Sequence, residues 1–273
     1  FFIFLNEIIN QINWTVDTTL LGIISGTAAT AIYGVGSQIN QYYMALSTSI
    51  SGVFTPQINR IVARGEGEEQ LTKLFTRVGR IQFMLLMLVL TGFVFVGEPF
   101  ICAWGGEEYG AAYWIALLLI APVTVPLIQN IGIEIQRAKN MHQFRSKVYF
   151  CMAIGNALVS IPLGMKFGGV GCALGTAISM VVGNGFIMNW YYQTHIGLDM
   201  RYFWKHILSI VPAMLPAVAL GIIAVRLHTF TGYAGVVTFA VPYAAVYAVG
   251  LYLFAMDESE KNMVRDVMRK IRR

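Results

Sequence analysis

"GRIQFMLLMLVLTGFVFVGEPFI", residues 79–101, decides the fold. Charge appears only near its two margins, at Arg80 and Glu98, and everything between but Gln82 is apolar or small. A helix needs about 17–25 such residues to cross the hydrocarbon core of a bilayer. Working outward from this run, seven further segments of similar character appear, at roughly 2–25, 28–56, 111–133, 146–164, 169–193, 206–227 and 234–256. The connections between them are short and hydrophilic, the longest being "RIVARGEGEEQLTKLFTRVGR" at 60–80. The pattern predicts an all-α polytopic membrane protein with eight transmembrane helices.

Composition agrees. Hydrophobic residues make up 56% of the chain and charged residues 12%, against about 25% charged in soluble domains. Cys102, Cys151 and Cys172 are scattered and form no CxxC or Cys/His cluster, so neither a disulfide framework nor a metal site is expected. The net charge of +5 could suggest nucleic acid, but the placement of the charge argues otherwise. Arg60, Arg64, Lys73, Arg77 and Arg80 follow the second span, and Arg137, Lys139, Arg145 and Lys147 the fourth. Arg201 and Lys205 follow the sixth, and six more basic residues fill the tail 257–273. Only Lys166 and Arg226 occupy the alternate loops. The positive-inside rule then puts both chain ends in the cytoplasm, with no nucleic acid required. The basic tail reads as an anchor beside anionic headgroups.

Polar residues inside the spans carry the functional signal. Asn6, Asn10, Asn13 and Asp17 recur at steps of four, three and four, which puts them on one helical face. Glu7, Gln11 and Trp14 widen it. Asp17 lies nine residues before Gly26, or ~14 Å below the outer surface at 1.5 Å per residue. An unpaired charge at that depth costs at least ~2.5–3.5 kcal/mol. The stripe must face protein or water, either as helix–helix glue or as one wall of a water-filled cavity; its length favours the cavity. The second span adds Tyr33, Ser37 and Gln41, then Thr48, Ser51 and Thr55, at helical spacing. Asn156 stands inside the fifth span, and Asn130, Asn184 and Asn189 are sparser polar positions in spans four and six. The face bearing Gly168, Gly171, Gly175, Ser179 and Gly183 reads as a packing surface. Pro122, Pro126, Pro212 and Pro216 predict kinks. Spans seven and eight are almost purely apolar and are expected at the lipid-facing periphery.

The stretch "VDTTLLGIISGTAATAIYGVGSQINQYYMALSTSISGVFTPQINRIVARGE" (16–66) resembles the seventh and eighth helices of polysaccharide flippases. These form a family within the multidrug/oligosaccharidyl-lipid/polysaccharide exporter superfamily. Asp17, the small-residue turn from Gly22 to Gly26, Tyr33, Pro56 and Arg60 carry the likeness. "GGEEYGAAYWIALLLIAP" resembles the family's entry to the next helix, and Asn156, Pro162, Gly168, Gly171 and Ala173 match a later helix pair. The resemblance implies the second lobe of a two-lobe exporter (1–193), two additional C-terminal helices (194–256) and a basic cytoplasmic tail (257–273). It implies outward flipping of a lipid-linked oligosaccharide or polysaccharide unit across the cytoplasmic membrane by alternating access. Membrane lipids, H+ or Na+ at Asp17, and an absent N-terminal lobe are the other implied partners. The cavity-lining set expected on this basis is Asn6, Asn10, Asn13, Asp17, Tyr33, Ser37, Gln41 and Asn156. The opening "FFIFLN", without Met or charged flank, leads to the expectation that residues precede it.

The alternative in the same superfamily is a cation-coupled multidrug or small-molecule antiporter, which would call for more buried carboxylates than Asp17. An enzyme would need catalytic groups gathered on an outer loop, and the outer loops offer little beyond Glu107, Glu108, Lys166, Arg226 and His228. His142, His195, His206 and His228 are dispersed. No catalytic residue and no cofactor is expected. No Lys or Arg lies deep in any span, so the lobe alone is expected to lack a complete anion site.

Overall fold

The computed structural model describes residue 18 and residues 21–65, 67–141 and 143–271. Secondary structure among them is helical: α1 (Gly26–Arg64), α2 (Glu68–Gly105), a short 3-10 turn (Glu107–Tyr109), α3 (Ala112–Ile128), α4 (Ile131–Ala138) and α5 (Gln143–Met180). The last runs on through a π-helical stretch Val181–Met188, one α-turn Asn189–Tyr191 and a second π-helical stretch Tyr192–Ile196. Then come α6 (Met200–Leu208), α7 (Val211–Leu227), α8 (Gly232–Phe254) and α9 (Glu258–Ile271). Seven of the eight expected spans fall on these helices; the first, 2–25, lies mostly outside the described residues.

Four helical stretches among the described residues are long and apolar enough to cross a membrane, and α3 with α4, bent by 43°, makes a fifth. The longest of them, Gln143–Ile196, has 54 residues, about 81 Å of helix at 1.5 Å per residue, far more than a bilayer core of ~30 Å. It is two antiparallel spans joined at Gly168, whose φ of 59° and ψ of −138° no helix contains. Residue pairs then close around that point like a zip. A Cβ on Gly164 would stand 2.8 Å from Cys172 Sγ, one on Gly175 would meet Ser160, and one on Gly183 would meet Met152. The glycines expected as a packing face are that face.

α2 is the hub, packed against α1, α3, α6, α7 and α8. The expected hydrophilic interruption at 60–80 is largely helical, because α1 continues past its apolar run to Arg64 and α2 already begins at Glu68. Gly65 caps α1 in the left-handed conformation (φ 64°), its N–H returning to the carbonyls of Ile61 and Val62, as such caps require. Beyond the turn, Leu71, Leu74, Phe75 and Val78 are buried at the three-and-four spacing of an inward helical face. Of the four prolines expected to kink, Pro122 and Pro126 lie within α3, just before its 43° bend into α4, and Pro216 lies within α7. Pro212 instead occupies the first turn of α7, where its missing N–H costs nothing.

The basic connections meet at one end of the bundle. Lys139 Nζ donates to the Ile196 carbonyl (2.7 Å) and lies 3.6 Å from Glu68. Arg80, at the same end, is 7% exposed, donating to Glu260 through Nε (2.8 Å) and Nη2 (3.0 Å) and to the carbonyls of His206 and Ala255. Glu260 also closes a reciprocal cap with Asp257 at the start of α9, the capping-box arrangement. At the other end Glu98, Glu107 and Phe230 surround one depression. α7 and α8 pack on α2 through Phe95, Phe239 and Tyr243 and through the Tyr247 hydroxyl, which donates to the Met84 carbonyl (2.8 Å). Their outer faces leave Ile223, Leu227, Val241 and Leu253 exposed, a surface suited to lipid and ill suited to water.

Candidate functional site

α1 is the polar exception among the long helices. At 39 residues it reaches ~58 Å, yet it is absent from the stretches apolar enough to cross a membrane unaided. Two of its faces differ in purpose. One is a closed seam against α2 and α3: Tyr43 Oη lies 2.7 Å from Thr124 Oγ1 and donates toward the Leu86 carbonyl. Ser47 Oγ donates to the Leu127 carbonyl (2.9 Å), and Gln82 Nε2 donates to both Ser47 and Ser51. These bonds are glue of the kind worth about 0.6–2 kcal/mol each between membrane helices. The other face leaves Gln41, Tyr42, Thr48 and Ser49 exposed.

Beside that second face a cavity of about 420 Å³ opens between α1, α3, α4 and both arms of the α5 hairpin. Met44 and Thr48 line it from α1, Val123 and Leu127 from α3, and Asn130 from the α3–α4 bend. Asn156 and Thr176 line it from opposite arms of the hairpin. Asn156 Oδ1 accepts from Ser160 Oγ (2.8 Å) and lies 3.2 Å from Thr176 Oγ1, while Ser160 Oγ reaches the Cys172 carbonyl (3.2 Å). The glycines are what let the two arms approach closely enough for this polar knot.

Nearer the basic end, Arg145, Tyr149 and Asn184 line the same cavity. The Arg145 guanidinium lies 4.6 Å from the centre of the Tyr149 ring. Its Nη2 donates to Tyr149 Oη (3.2 Å), which donates on to Asn184 Oδ1 (2.9 Å). Asn184 belongs to the π-helical stretch, and the widened turn lets its carbonyl accept from Asn189 Nδ2 (2.7 Å). Asn189 Oδ1 in turn accepts from Gln129 and from the Trp204 indole. The network therefore ties α3, α5, the π segment and α6 together behind the cavity.

The residues expected to line a cavity have separate fates. Asn156 lines it. Tyr33 is buried with Leu21, Ile115 and Leu119 in a small cluster, and Ser37 is buried one turn on. Gln41 is exposed on α1 and is not in the cavity wall. Asn6, Asn10, Asn13 and Asp17 lie outside the described residues. No Lys or Arg was expected deep in a span, and two arginines at span margins nonetheless turn inward. Arg80 is buried because a tail residue 180 positions away meets it, and Arg145, taken for a loop residue, stands in the first turns of α5 facing the cavity. A signal for the second was present: positions 145, 149, 152 and 156 share one helical face.

The family model described as "Polysaccharide biosynthesis protein" matches residues 2–114. The probable flippase AglR of Haloferax volcanii is 25% identical over 173 residues, covering 62% of this chain and 36% of that protein. In fold, the chain is similar to the lipid II flippase MurJ in its inward closed conformation, with a TM-score of 0.74 at 16% identity over 92% of this chain and 52% of that one. The chain thus spans little over a third of the curated relative and about half of the structural one. The chain is thus a multi-pass helical membrane protein whose sequence is similar to polysaccharide biosynthesis proteins over residues 2–114 and to a probable flippase over 173 residues, and whose fold is similar to that of a lipid II flippase.

Proposed function

We propose that this chain forms the second lobe of a flippase that moves a lipid-linked oligosaccharide or polysaccharide unit outward across the cytoplasmic membrane by alternating access. Residues 1–193 make the lobe, 194–256 the two added helices and 257–273 a tail that, like the chain's start, is cytoplasmic. The exposed polar face of α1 carries the reading. Withdrawing an amide such as Gln41 into hydrocarbon without a partner costs about 4–8 kcal/mol, so this face needs water, sugar hydroxyls or a facing lobe. Gln41 and Tyr42 suit hydroxylated cargo, a donor–acceptor amide beside an aromatic ring. The likeness to the probable flippase AglR supports flipping, and the likeness to the lipid II flippase MurJ supports a lipid-linked cargo. No covalent chemistry is asked of the site.

Asp17, with Asn6, Asn10 and Asn13 on its face, is assigned the coupling role, taking H+ or Na+ as its hydration changes between inward- and outward-open states. Asn156 stands in the cavity wall on the lobe side, and Tyr33 and Ser37 pack α1 behind it. The test is outward flipping of a lipid-linked oligosaccharide by the full-length protein in proteoliposomes. Gln41→Leu should slow flipping at unchanged membrane abundance, and Asp17→Asn should abolish its dependence on a proton or sodium gradient. Wild-type rates and wild-type gradient dependence in both variants would overturn the reading.

A further inference from the structure

We infer that α1 has a second seating against the broken span α3–α4, in which the buried amides of Asn40 and Gln136 find the hydrogen bonds they lack here. Alternating access needs two states, but a distance and not transport tests this second seating, so either reading can fail alone. Asn40, in the first half of α1, and Gln136, on α4, are both fully buried. Neither the oxygen nor the nitrogen of either amide has a hydrogen-bond partner. No other buried side chain among the described residues leaves two polar atoms unmet. Buried amides are nearly always bonded, and in an apolar seam each unmet one is a standing cost.

The two amides lie on either side of a bonded middle. Along α1, Gly36 comes first. A Cβ there would stand 2.7 Å from Ile115 Cγ2 and 3.1 Å from the Ala116 nitrogen, so the α1 and α3 backbones nearly touch. Asn40 follows one turn on, and then Tyr43, bonded to Thr124, and Ser47, bonded to the Leu127 carbonyl. Between Ile115 and Thr124, α3 carries no polar side chain to answer Asn40. Its backbone does have an acceptor to spare, because Pro122 has no N–H to give the Leu118 carbonyl. Past the bonded middle the span bends by 43° into α4, which carries Gln136 and packs against α1 and α2. Gln82, whose nitrogen ties Ser47 and Ser51, keeps its own oxygen unmet on the same seam. This seating therefore bonds the middle of the α1 interface and strands both its ends. Packed interfaces shift between discrete arrangements and not by degrees, and a helix with two registers leaves this pattern in one of them. A turn or slide of α1 exchanges the stranded amides for bonded ones and releases Tyr43 and Ser47. Gln41, Tyr42 and Thr48 ride on the same helix, so the polar face offered to the cavity changes with the seating.

Double electron–electron resonance on the full-length protein in nanodiscs reads the seating. Spin labels go on Asn59→Cys in α1 and Arg137→Cys in α4, both exposed positions, in a background without the native cysteines. Tyr43→Phe removes a bond that holds the present seating, while Thr124 Oγ1 keeps its bond to the Ile120 carbonyl (2.8 Å). It should enrich a second distance roughly threefold to tenfold over wild type, as loss of one hydrogen bond would. In that background Asn40→Leu relieves this seating of an unmet amide and denies the other its new bonds. It should deplete the second distance about tenfold, and Gln136→Leu should do the same. Should Asn40→Leu fail to insert, Gln136→Leu carries that arm. One unchanged distance in wild type and in Tyr43→Phe overturns the inference, and so does a second distance that neither leucine depletes.

Discussion

Arg80→Met should free the C-terminal helix long before it disturbs the bundle. The guanidinium donates four hydrogen bonds from a side chain only 9% exposed, to a Glu260 carboxylate 4% exposed and to two main-chain carbonyls. Removing one member of a buried pair strands the other charge, at a cost of about 3–5 kcal/mol. Here the His206 and Ala255 carbonyls lose their donor as well, so Arg80→Met should sit at the upper end of that range. Glu260→Gln should cost less, because the arginine keeps both carbonyls and the amide oxygen still accepts one bond. The double variant Arg80→Met, Glu260→Met leaves no stranded charge and should recover part of the loss.

The measurement is amide hydrogen exchange over residues 258–271 in the detergent-solubilised protein. Local opening of one element is read there without unfolding the membrane helices. At 1.4 kcal/mol per factor of ten, a loss of about 5 kcal/mol speeds exchange of α9 by roughly three orders of magnitude or more, and even ~3 kcal/mol gives about a hundredfold. Exchange in α3, none of whose residues hydrogen-bonds Arg80 or Glu260, should move far less. If α9 in Arg80→Met exchanges at the wild-type rate, or if the double variant is worse than the sum of the singles, the clamp does not hold the tail and the reasoning from burial fails.

Two further outcomes test the fold. At Gly171 a Cβ would run into the Leu163 carbonyl, whereas at Gly155 it meets open space; Gly171→Ala should therefore lower thermal stability by an overpacking cost of about 1–3 kcal/mol, and Gly155→Ala should leave the melting temperature unchanged. In a background lacking Cys102, Cys151 and Cys172, single cysteines at 107 and 230 should react with an impermeant maleimide added outside the cell, and those at 66, 140 and 262 only after permeabilisation. Reversal of either set would invert the proposed orientation.

Most of the architecture was legible because hydrocarbon imposes a length rule that each apolar run obeys on its own. The hairpin at Gly168 was legible for the same reason: the glycines there are spaced for close approach, and the spacing is local. The extent of α1 and α2 was harder. Residues 60–80 are hydrophilic overall and read as a loop, yet Leu71, Leu74, Phe75 and Val78 already held the period of a buried face. Composition averaged over the segment hid a pattern that periodicity kept. The course of the chain at Asn184 was not legible, since nothing in "VVGNGFIM" distinguishes a π-helical turn from an α-helical one.

The two arginines show where reading a sequence must stop and contacts must begin. Arg80 and Arg145 both sit at the margin of an apolar run on the basic side, and a topology rule treats them as equivalent. Arg80 meets Glu260, and with its charge balanced and its donors filled it becomes a fastener. Arg145 faces Tyr149 and Asn184, which orient it and contribute no charge, so its field remains directed into a cavity. Partners separate the two: a carboxylate 180 residues away in one case, and in the other a tyrosine four residues on that is itself held by Asn184.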